Sequence, residues 1–214
     1  KFKSCRGLVR FEDFNNLEKF PYIIIDELYD DDEISELWEE LDYLCNPRRL
    51  IESSIDNGAA HEADGTLLKF NHCQYLDNMY MNREQSTILQ VTEKIFMNDR
   101  KIFEDHPHWF FKDLTDIDQH YTQVVYYEDK DEYRAHRDKS TFTCLTWFYR
   151  KPKKYSGGDM YFPAHDVTVE CLNNRTLIFP SIIEHQVLPV KMESKDLGQK
   201  YGRFCIAQLL SSKF

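Results

Sequence analysis

Two histidines and one aspartate in the second half of the chain are the residues best suited to hold a catalytic metal. His136 and Asp138 are separated by one residue, and His185 follows further along. Alternate residues of a strand point to the same face, so His136 and Asp138 can converge while Arg137 points elsewhere. Two imidazoles and one carboxylate on one side of Fe(II) leave the other coordination positions open for a cosubstrate and dioxygen.

Arg203 is a candidate partner for this cluster, because its planar guanidinium can bind a carboxylate through two parallel hydrogen bonds. An arginine of this kind would anchor an anionic cosubstrate beside the metal. Taken alone, a His-x-Asp pair recurs by chance, so the surrounding sequence must decide.

Length and composition indicate one packed domain over residues 1–214. The chain is 42% hydrophobic and 14% aromatic, which is typical of a globular protein. Thirty-seven acidic residues against 27 basic ones give a formal net charge of -10. This balance argues against a nucleic-acid partner held by a broad basic surface, including a nucleic-acid demethylase function.

The six cysteines are scattered and form no Cys-x-x-Cys pair. In a chain of this size they favour reduced, buried thiols in a cytoplasmic protein over a disulfide framework. No run reaches transmembrane length and no signal-peptide core is visible, so we expect no membrane partner. The first residue is Lys1 rather than methionine, and we expect further residues before it in the natural protein.

Residues 1–118 read as a support region of helices and a strand. A β-branched run predicts a buried strand over residues 20–25. A helix is predicted after residues 30–32, with apolar residues at helical spacing: Ile34, Leu37, Leu41 and Leu44. A second helix is predicted to begin near Asn82, where Asn82 and Gln85 have capping-box spacing. Its apolar stripe comprises Ile88, Val91, Ile95 and Phe96.

Residues 119–214 read as a β-rich core. Short β-branched and aromatic runs are separated by turn clusters. They cover residues 121–127, 142–149, 159–162, 167–171, 176–179, 185–190 and 204–210. This strand count predicts a jelly roll, and the position of the helices predicts that they cover one sheet. The expected class is therefore mainly β with flanking α.

Residues 123–207 resemble the Fe(II)- and 2-oxoglutarate-dependent dioxygenases, specifically the prolyl 4-hydroxylase-like group. Tyr127, Tyr133, His136 and Asp138 match the group's Tyr…Tyr-x-x-His-x-Asp pattern. The segments 157–163, 177–190 and 203–207 resemble its Gly-Gly turn, its second histidine strand and its closing strand. Each motif is weak alone, but their order makes the resemblance specific.

The resemblance implies a double-stranded β-helix, the cupin-like jelly roll, with Fe(II) held by His136, Asp138 and His185. It implies 2-oxoglutarate paired with Arg203, a pocket lined by Tyr127 and Thr143, and O2 as the oxidant. Ascorbate is left open as an accessory cofactor. The implied reaction is hydroxylation of a C–H bond, with release of succinate and CO2. Asp138 favours this outcome over halogenation, because the related halogenases lack the carboxylate.

Several alternatives remain open at this stage. Arg203 follows His185 by 18 positions (203 − 185), longer than the family norm, so residues 191–200 read as an inserted loop. Without an insertion, Lys195 or Lys200 becomes the anchor. The substrate is expected to be a prolyl residue in a peptide or protein, with a free amino acid or another small metabolite as the alternative. A non-catalytic metal-binding jelly-roll sensor is the rival from another class. His106 and His108 read as loop histidines.

Overall fold

Two antiparallel sheets lie face to face at the centre of the molecule. The computed structural model describes residues 8–10, 20–46, 49–57, 59–98 and 101–212, so the predicted thiol of Cys5 lies outside the described residues. The strands are β1 (Leu8–Arg10), β2 (Ile23–Asp26), β3 (Ile51–Glu52), β4 (Lys69–Phe70), β5 (His72–Tyr75), β6 (Gln119–Tyr127), β7 (Glu132–His136), β8 (Phe142–Phe148), β9 (Tyr155–Gly157), β10 (Met160–Phe162), β11 (Val167–Val169), β12 (Arg175–Pro180), β13 (His185–Val187), β14 (Val190–Met192) and β15 (Arg203–Ser211). The helices are α1 (Asp31–Leu44), α2 (Leu76–Met79), α3 (Thr87–Asn98) and α4 (Lys101–Glu104).

The strand order is that of a jelly roll. The large sheet has the order β1-β2-β12-β8-β15-β6-β5-β3, and the small sheet has the order β11-β10-β13-β7-β4. Strands β9 and β14 form a separate two-stranded ribbon. The predicted class, a mainly β jelly roll with flanking helices, is confirmed.

Each face of the large sheet packs against a different layer because side chains alternate along a strand. On β15, Phe204, Ile206 and Leu210 belong to the cluster that contains the helices. Cys205, with Ala207 packed beside it, belongs to the cluster shared with the small sheet. Strand β6 follows the same rule with Val124 on the helical side and Val125 on the other. One face therefore forms the structural core, and the opposite face forms the interior of the sandwich.

Helix α1 forms where it was predicted. Asp30 caps its first turn by accepting a hydrogen bond from Glu33 N at 3.0 Å, and the Glu33 carboxylate in turn accepts one from Asp30 N at 3.1 Å. Leu37, Leu41 and Leu44 are fully buried against the helical side of the large sheet.

The second helix begins later than the spacing of Asn82 and Gln85 predicts. The predicted capping box of Asn82 and Gln85 is present, but it begins only a single 3-10 turn, Arg83–Gln85, and the α-helix α3 starts at Thr87. Ser86 provides the cap, since its hydroxyl accepts from Leu89 N at 3.1 Å. Glu40 of α1 accepts from Ile88 N at 2.8 Å. The start of α3 is therefore determined by a tertiary contact with α1.

The first predicted strand is also shifted. Pairing begins at Ile23 and continues to Asp26, whereas Phe20 and Tyr22 pack against the small sheet without forming a ladder. Phe20 lies 4.4 Å from Phe162 between ring centroids. Among the described residues, none of the helices combines the length and the hydrophobicity needed to cross a membrane.

Leu41→Ala tests the helical cover. Leu41 is completely buried between α1 and the large sheet, and truncating such a leucine costs about 2–5 kcal/mol. We expect the free energy of unfolding, measured by urea denaturation, to fall by that amount. Glu36→Ala, at an exposed position of the same helix, should change it by less than about 0.5 kcal/mol. Equal effects of the two substitutions would contradict the packing described.

Candidate metal centre

The small sheet brings the two candidate histidines together. Strands β7 and β13 are antiparallel neighbours, and His136 is directly opposite His185 in their register. Their ring centroids are 4.3 Å apart. Asp138 follows β7, and its backbone N–H donates to the Ser181 carbonyl at 3.1 Å, which ties it to the end of β12.

The three side chains converge on one point. His136 Nε2 lies 3.6 Å from Asp138 Oδ1, and His185 Nε2 lies 3.4 Å from Asp138 Oδ2. Their potential ligand atoms all lie within 4.8 Å of one another. Two imidazole nitrogens and one carboxylate oxygen on one side are the donor set of mononuclear Fe(II) sites with open positions, so these residues fit such an ion.

Hydrogen bonds at the far side of each ring orient both imidazoles. His136 Nδ1 is 2.8 Å from the Arg134 carbonyl oxygen, and His185 Nδ1 is 2.8 Å from the Ile183 carbonyl oxygen. A carbonyl oxygen can only accept, so each Nδ1 carries the proton and each Nε2 keeps its lone pair for the cluster. Burial and the nearby His185 lower the pKa of His136 to about 3. The neutral, metal-binding form of His136 therefore predominates near neutral pH.

Asp138 is held as a carboxylate. Burial acts to raise its pKa, but hydrogen bonding and charge interactions with the histidines, together with a bond from Thr143, outweigh it and lower the pKa to about 2. Thr143 Oγ1 donates to Asp138 Oδ2 at 2.6 Å and lies 2.8 Å from Ser181 Oγ. Thr143 thus orients the carboxylate, a contact not anticipated from the sequence, and it also lines the adjoining cavity.

Aromatic rings shield the cluster from water. Tyr133 is stacked on His136 with ring centroids 3.4 Å apart. Phe179 meets His185 edge-on at 4.8 Å. These contacts fix the rings in place and give the cluster a largely apolar surround, in which charge interactions are strong.

Arg203 lies in the cavity between the two sheets. This cavity has a volume of about 70 Å³, and all three cluster residues line it together with Tyr127, Thr143 and Arg203. The Arg203 side chain is fully buried. Among the described residues, its Nε and Nη1 atoms have no hydrogen-bond partner. Orphaned donors on a buried guanidinium are unfavourable unless an anion satisfies them.

Two neighbours hold the guanidinium in position. The Tyr127 ring faces it, with 4.7 Å from Arg203 Cζ to the ring centroid, and Tyr127 is directly opposite Arg203 in the ladder of β6 and β15. Gly158 adopts a positive φ of 75°, and a side-chain carbon there would lie 2.8 Å from Arg203 Cδ. The Gly-Gly turn therefore leaves room for the arginine as well as reversing the chain.

The two alternative anchor residues lie elsewhere. Lys195 pairs with Glu193 at 2.6 Å on the surface. Lys200 Nζ donates to the Asp42 carbonyl at 3.2 Å. Neither residue lines the cavity. The first two residues of the predicted inserted loop, 191–192, belong to β14 (Val190–Met192), and Ser194–Asp196 form a 3-10 turn.

Lys69 also lies at the site, although no motif in the sequence marks it. It is 5% exposed, it lines the cavity, and its Nζ donates to Gln123 Oε1 at 2.8 Å. Burial lowers the pKa of Lys69. The only signal in the sequence is a lysine within the apolar run of residues 67–70. The predicted loop histidines are separate from the cluster, and His108 caps the 3-10 helix Trp109–Asp116.

Comparison with known proteins agrees with this arrangement. The family model described as the 2OG-Fe(II) oxygenase superfamily matches residues 122–208. The matched segment contains the three cluster residues, Tyr127, Thr143 and Arg203. No curated protein sequence matches the chain.

Solved structures of prolyl hydroxylases share the fold. A Pseudomonas putida prolyl-4-hydroxylase is similar with a TM-score of 0.60 at 14% identity, over 88% of this chain and 91% of that one. The viral collagen prolyl hydroxylase of Paramecium Bursaria Chlorella virus-1, solved as a 2OG complex, is similar with a TM-score of 0.54 at 16% identity, over 90% of this chain and 96% of that one. A Trichoplax adhaerens prolyl hydroxylase, solved with a hypoxia inducible factor peptide fragment, is similar with a TM-score of 0.55 at 13% identity, over 89% of this chain and 83% of that one. These findings confirm the predicted resemblance to the 2-oxoglutarate-dependent dioxygenases, which are oxidoreductases.

Thr143→Val tests the support given to the carboxylate. Removing the hydroxyl leaves Asp138 free to rotate, and loss of a group that orients a metal ligand costs about 10–100-fold in metal affinity. We expect that loss in Mn²⁺ binding, measured by electron paramagnetic resonance. Thr146→Val is the matched control, because Thr146 is equally buried on β8 but its hydroxyl lies 2.7 Å from that of Thr176. An unchanged Mn²⁺ affinity of the Thr143→Val variant would show that Thr143 does not orient the Asp138 carboxylate for metal binding.

Proposed function

We propose that this 2OG-Fe(II) oxygenase hydroxylates a prolyl residue of a peptide or protein, using Fe(II), 2-oxoglutarate and O2. The observation that carries the proposal is the pairing of two features in one cavity. A cluster of half-buried His136 and Asp138 with buried His185 adjoins the buried guanidinium of Arg203, whose Nε and Nη1 have no hydrogen-bond partner among the described residues. The cluster supplies a metal site with open positions, and the guanidinium supplies a carboxylate site.

In this proposal each residue has a defined task. Fe(II) would be held by His136, Asp138 and His185, and when bound with 2-oxoglutarate and dioxygen it supplies the oxidation of a C–H bond, with succinate and CO2 as co-products. Arg203 binds the distal carboxylate of 2-oxoglutarate, and Tyr127 holds the guanidinium flat against its ring. The buried walls exclude bulk water and so strengthen these interactions.

The choice of a prolyl substrate rests on likeness of fold. The structures reported above are prolyl hydroxylases, but one fold hosts many substrates. A free amino acid or another small metabolite is the second candidate, favoured by the buried cation Lys69 in the cavity. A metal-binding sensor without catalysis is a poorer fit, since a mere binder has no need of Arg203. The five described cysteines are free thiols, which supports a cytoplasmic location.

Succinate formation tests the reaction. Reconstituted protein with Fe(II), 2-oxoglutarate and O2 should release succinate when proline-containing peptides are added, and mass spectrometry should show one added oxygen on the peptide. Omitting ascorbate from parallel assays measures its contribution. His136→Ala should abolish both turnover and tight metal binding, whereas His72→Ala, at an exposed position of β5, should preserve them.

The possible results separate the rival functions. Stimulation by free amino acids alone would redirect the proposal to a small-molecule hydroxylase. Metal binding without any 2-oxoglutarate turnover would support the sensor and overturn the enzymatic proposal. Full turnover in His136→Ala would overturn the ligand set.

Arg203→Leu tests the cosubstrate anchor. Truncating one partner of a buried, hydrogen-bonded charge pair costs at least about 2 kcal/mol, so the Kd for 2-oxoglutarate should rise by about 30-fold or more. Calorimetric titration of the Mn²⁺-loaded protein measures this without turnover. Lys195→Met and Lys200→Met are the matched controls, and a comparable loss in either variant would identify that lysine as the anchor instead.

A further inference from the structure

Lys69 is a charged side chain for which the proposed reaction has no use. It lies on β4, next to Tyr133 of β7 in the small sheet. Its Nζ reaches across the cavity to Gln123 of β6 in the large sheet, at 2.8 Å from Oε1. It also lies 5.5 Å from the Tyr133 ring centroid. Among the described residues, no carboxylate forms an ion pair with it within 4 Å.

Gln123 adds a second unsatisfied donor at the same place. Because an ammonium group can only donate, the Gln123 oxygen must face Lys69 and the amide nitrogen must face away. That nitrogen, Nε2, is buried and has no hydrogen-bond partner among the described residues. Lys69 and Gln123 therefore present adjacent N–H donors to the cavity that both residues line. Two neighbouring donors suit the two oxygens of a carboxylate.

The charges in the cavity indicate an anionic ligand. When Lys69 is protonated, the ionised lining residues apart from the histidines are Asp138, Arg203 and Lys69. A divalent metal adds two positive charges and 2-oxoglutarate adds two negative ones, so the filled site keeps one net positive charge. Arg203 is assigned to the cosubstrate, which leaves Lys69 unpaired. A buried cation without a counter-charge is unfavourable, and an incoming carboxylate would remove that penalty.

The position of the pair places this carboxylate near the metal cluster. Along β15, Gln123 is opposite Ala207, and Thr143 is opposite Leu209, two residues further on. Arg203 is four residues from Ala207 in the other direction, or roughly 13 Å along the strand. The Lys69–Gln123 pair is thus nearer to the row of Thr143, which contacts Asp138, than to the cosubstrate anchor.

We infer that Lys69 and Gln123 form a second carboxylate site, which binds a carboxylate of the primary substrate close to the C–H bond that is oxidised. The inference rests on the proposed function and narrows its substrate class. A carboxylate site of this kind favours three classes of substrate: free amino acids, C-terminal prolyl residues and prolyl residues beside an acidic side chain. It disfavours internal prolyl residues in uncharged peptide sequences. Lys69 is a specificity-determining residue in this account and takes no part in metal binding.

Matched acid and amide substrates test the inference. The panel pairs L-proline with L-prolinamide, prolyl peptides bearing a free C-terminus with their amidated forms, and Glu-Pro with Gln-Pro peptides. We expect the unmodified protein to prefer at least one acid over its neutral partner by roughly 30-fold or more in kcat/KM. Lys69→Met should remove that preference, Lys69→Arg should retain part of it, and Lys112→Met, at an exposed lysine, should leave it intact.

Two further measurements exclude other roles for Lys69. The Kd for 2-oxoglutarate of the Mn²⁺-loaded protein should be unchanged in Lys69→Met, and thermal unfolding should show equal or higher stability, because an apolar side chain replaces a buried charge. A rise in that Kd like the one expected for Arg203→Leu would mean that the cosubstrate is the ligand and would overturn the inference. So would an acid preference that survives Lys69→Met, or a panel in which no acid is preferred. Absence of both 2-oxoglutarate binding and succinate formation would instead refute the proposed function itself.

Discussion

The pairing of β7 with β13 is the constraint on which the site depends. It places His136 opposite His185, and Asp138 reaches the same point because its backbone is tied to the end of β12. Side chains alternate along a strand, so a shift of one residue in this register would turn one imidazole out of the cavity. The aromatic contacts of Tyr133 and Phe179 oppose such a shift. The geometry of the cluster is thus a property of strand pairing, which residues distant in the sequence must achieve together.

The large sheet contributes by separating stability from chemistry. Its helical face carries a continuous apolar core that includes Leu41 and Phe204, whereas the opposite face of the same strands carries Arg203 and Thr143 toward the cavity. Burying Arg203 and Lys69 opposes folding, because neither cation has a carboxylate partner among the described residues. The apolar core on the helical side offsets this cost. The arrangement is typical of functional sites, where groups needed for binding are kept although they destabilise the fold.

Elements of this fold that depend on local interactions are predictable from the sequence, whereas those that depend on contacts between distant segments are not. The jelly roll and helix α1 were predictable because their signals are local, as with the cap at Asp30. The capping box of Asn82 and Gln85 forms as predicted, but the α-helix α3 starts five residues later, because Ser86 is ordered partly by Glu40 of α1, a contact that no local pattern encodes. The strand predicted over residues 20–25 begins three residues later in the structure, because Phe20 and Tyr22 are buried by side-chain packing and not by strand pairing. The proximity of His136, Asp138 and His185 was anticipated only through the order of several motifs.

Lys69 was not predicted for a related reason, since only its three-dimensional position beside the cavity marks it as a functional candidate. The candidate metal ligands, Thr143 and Arg203 all lie within the family-matched segment 122–208, whereas Lys69 lies on a two-residue strand outside it. Both parts line one cavity. Residues that hold metal and cosubstrate must keep one geometry for the reaction to occur at all. Residues that contact only the primary substrate are under no such restriction, so a short edge strand can change specificity without disturbing the chemistry. The determinants of substrate choice are therefore to be sought in the side chains that β4 and its neighbours project toward the candidate metal centre, rather than in the motifs shared with the superfamily.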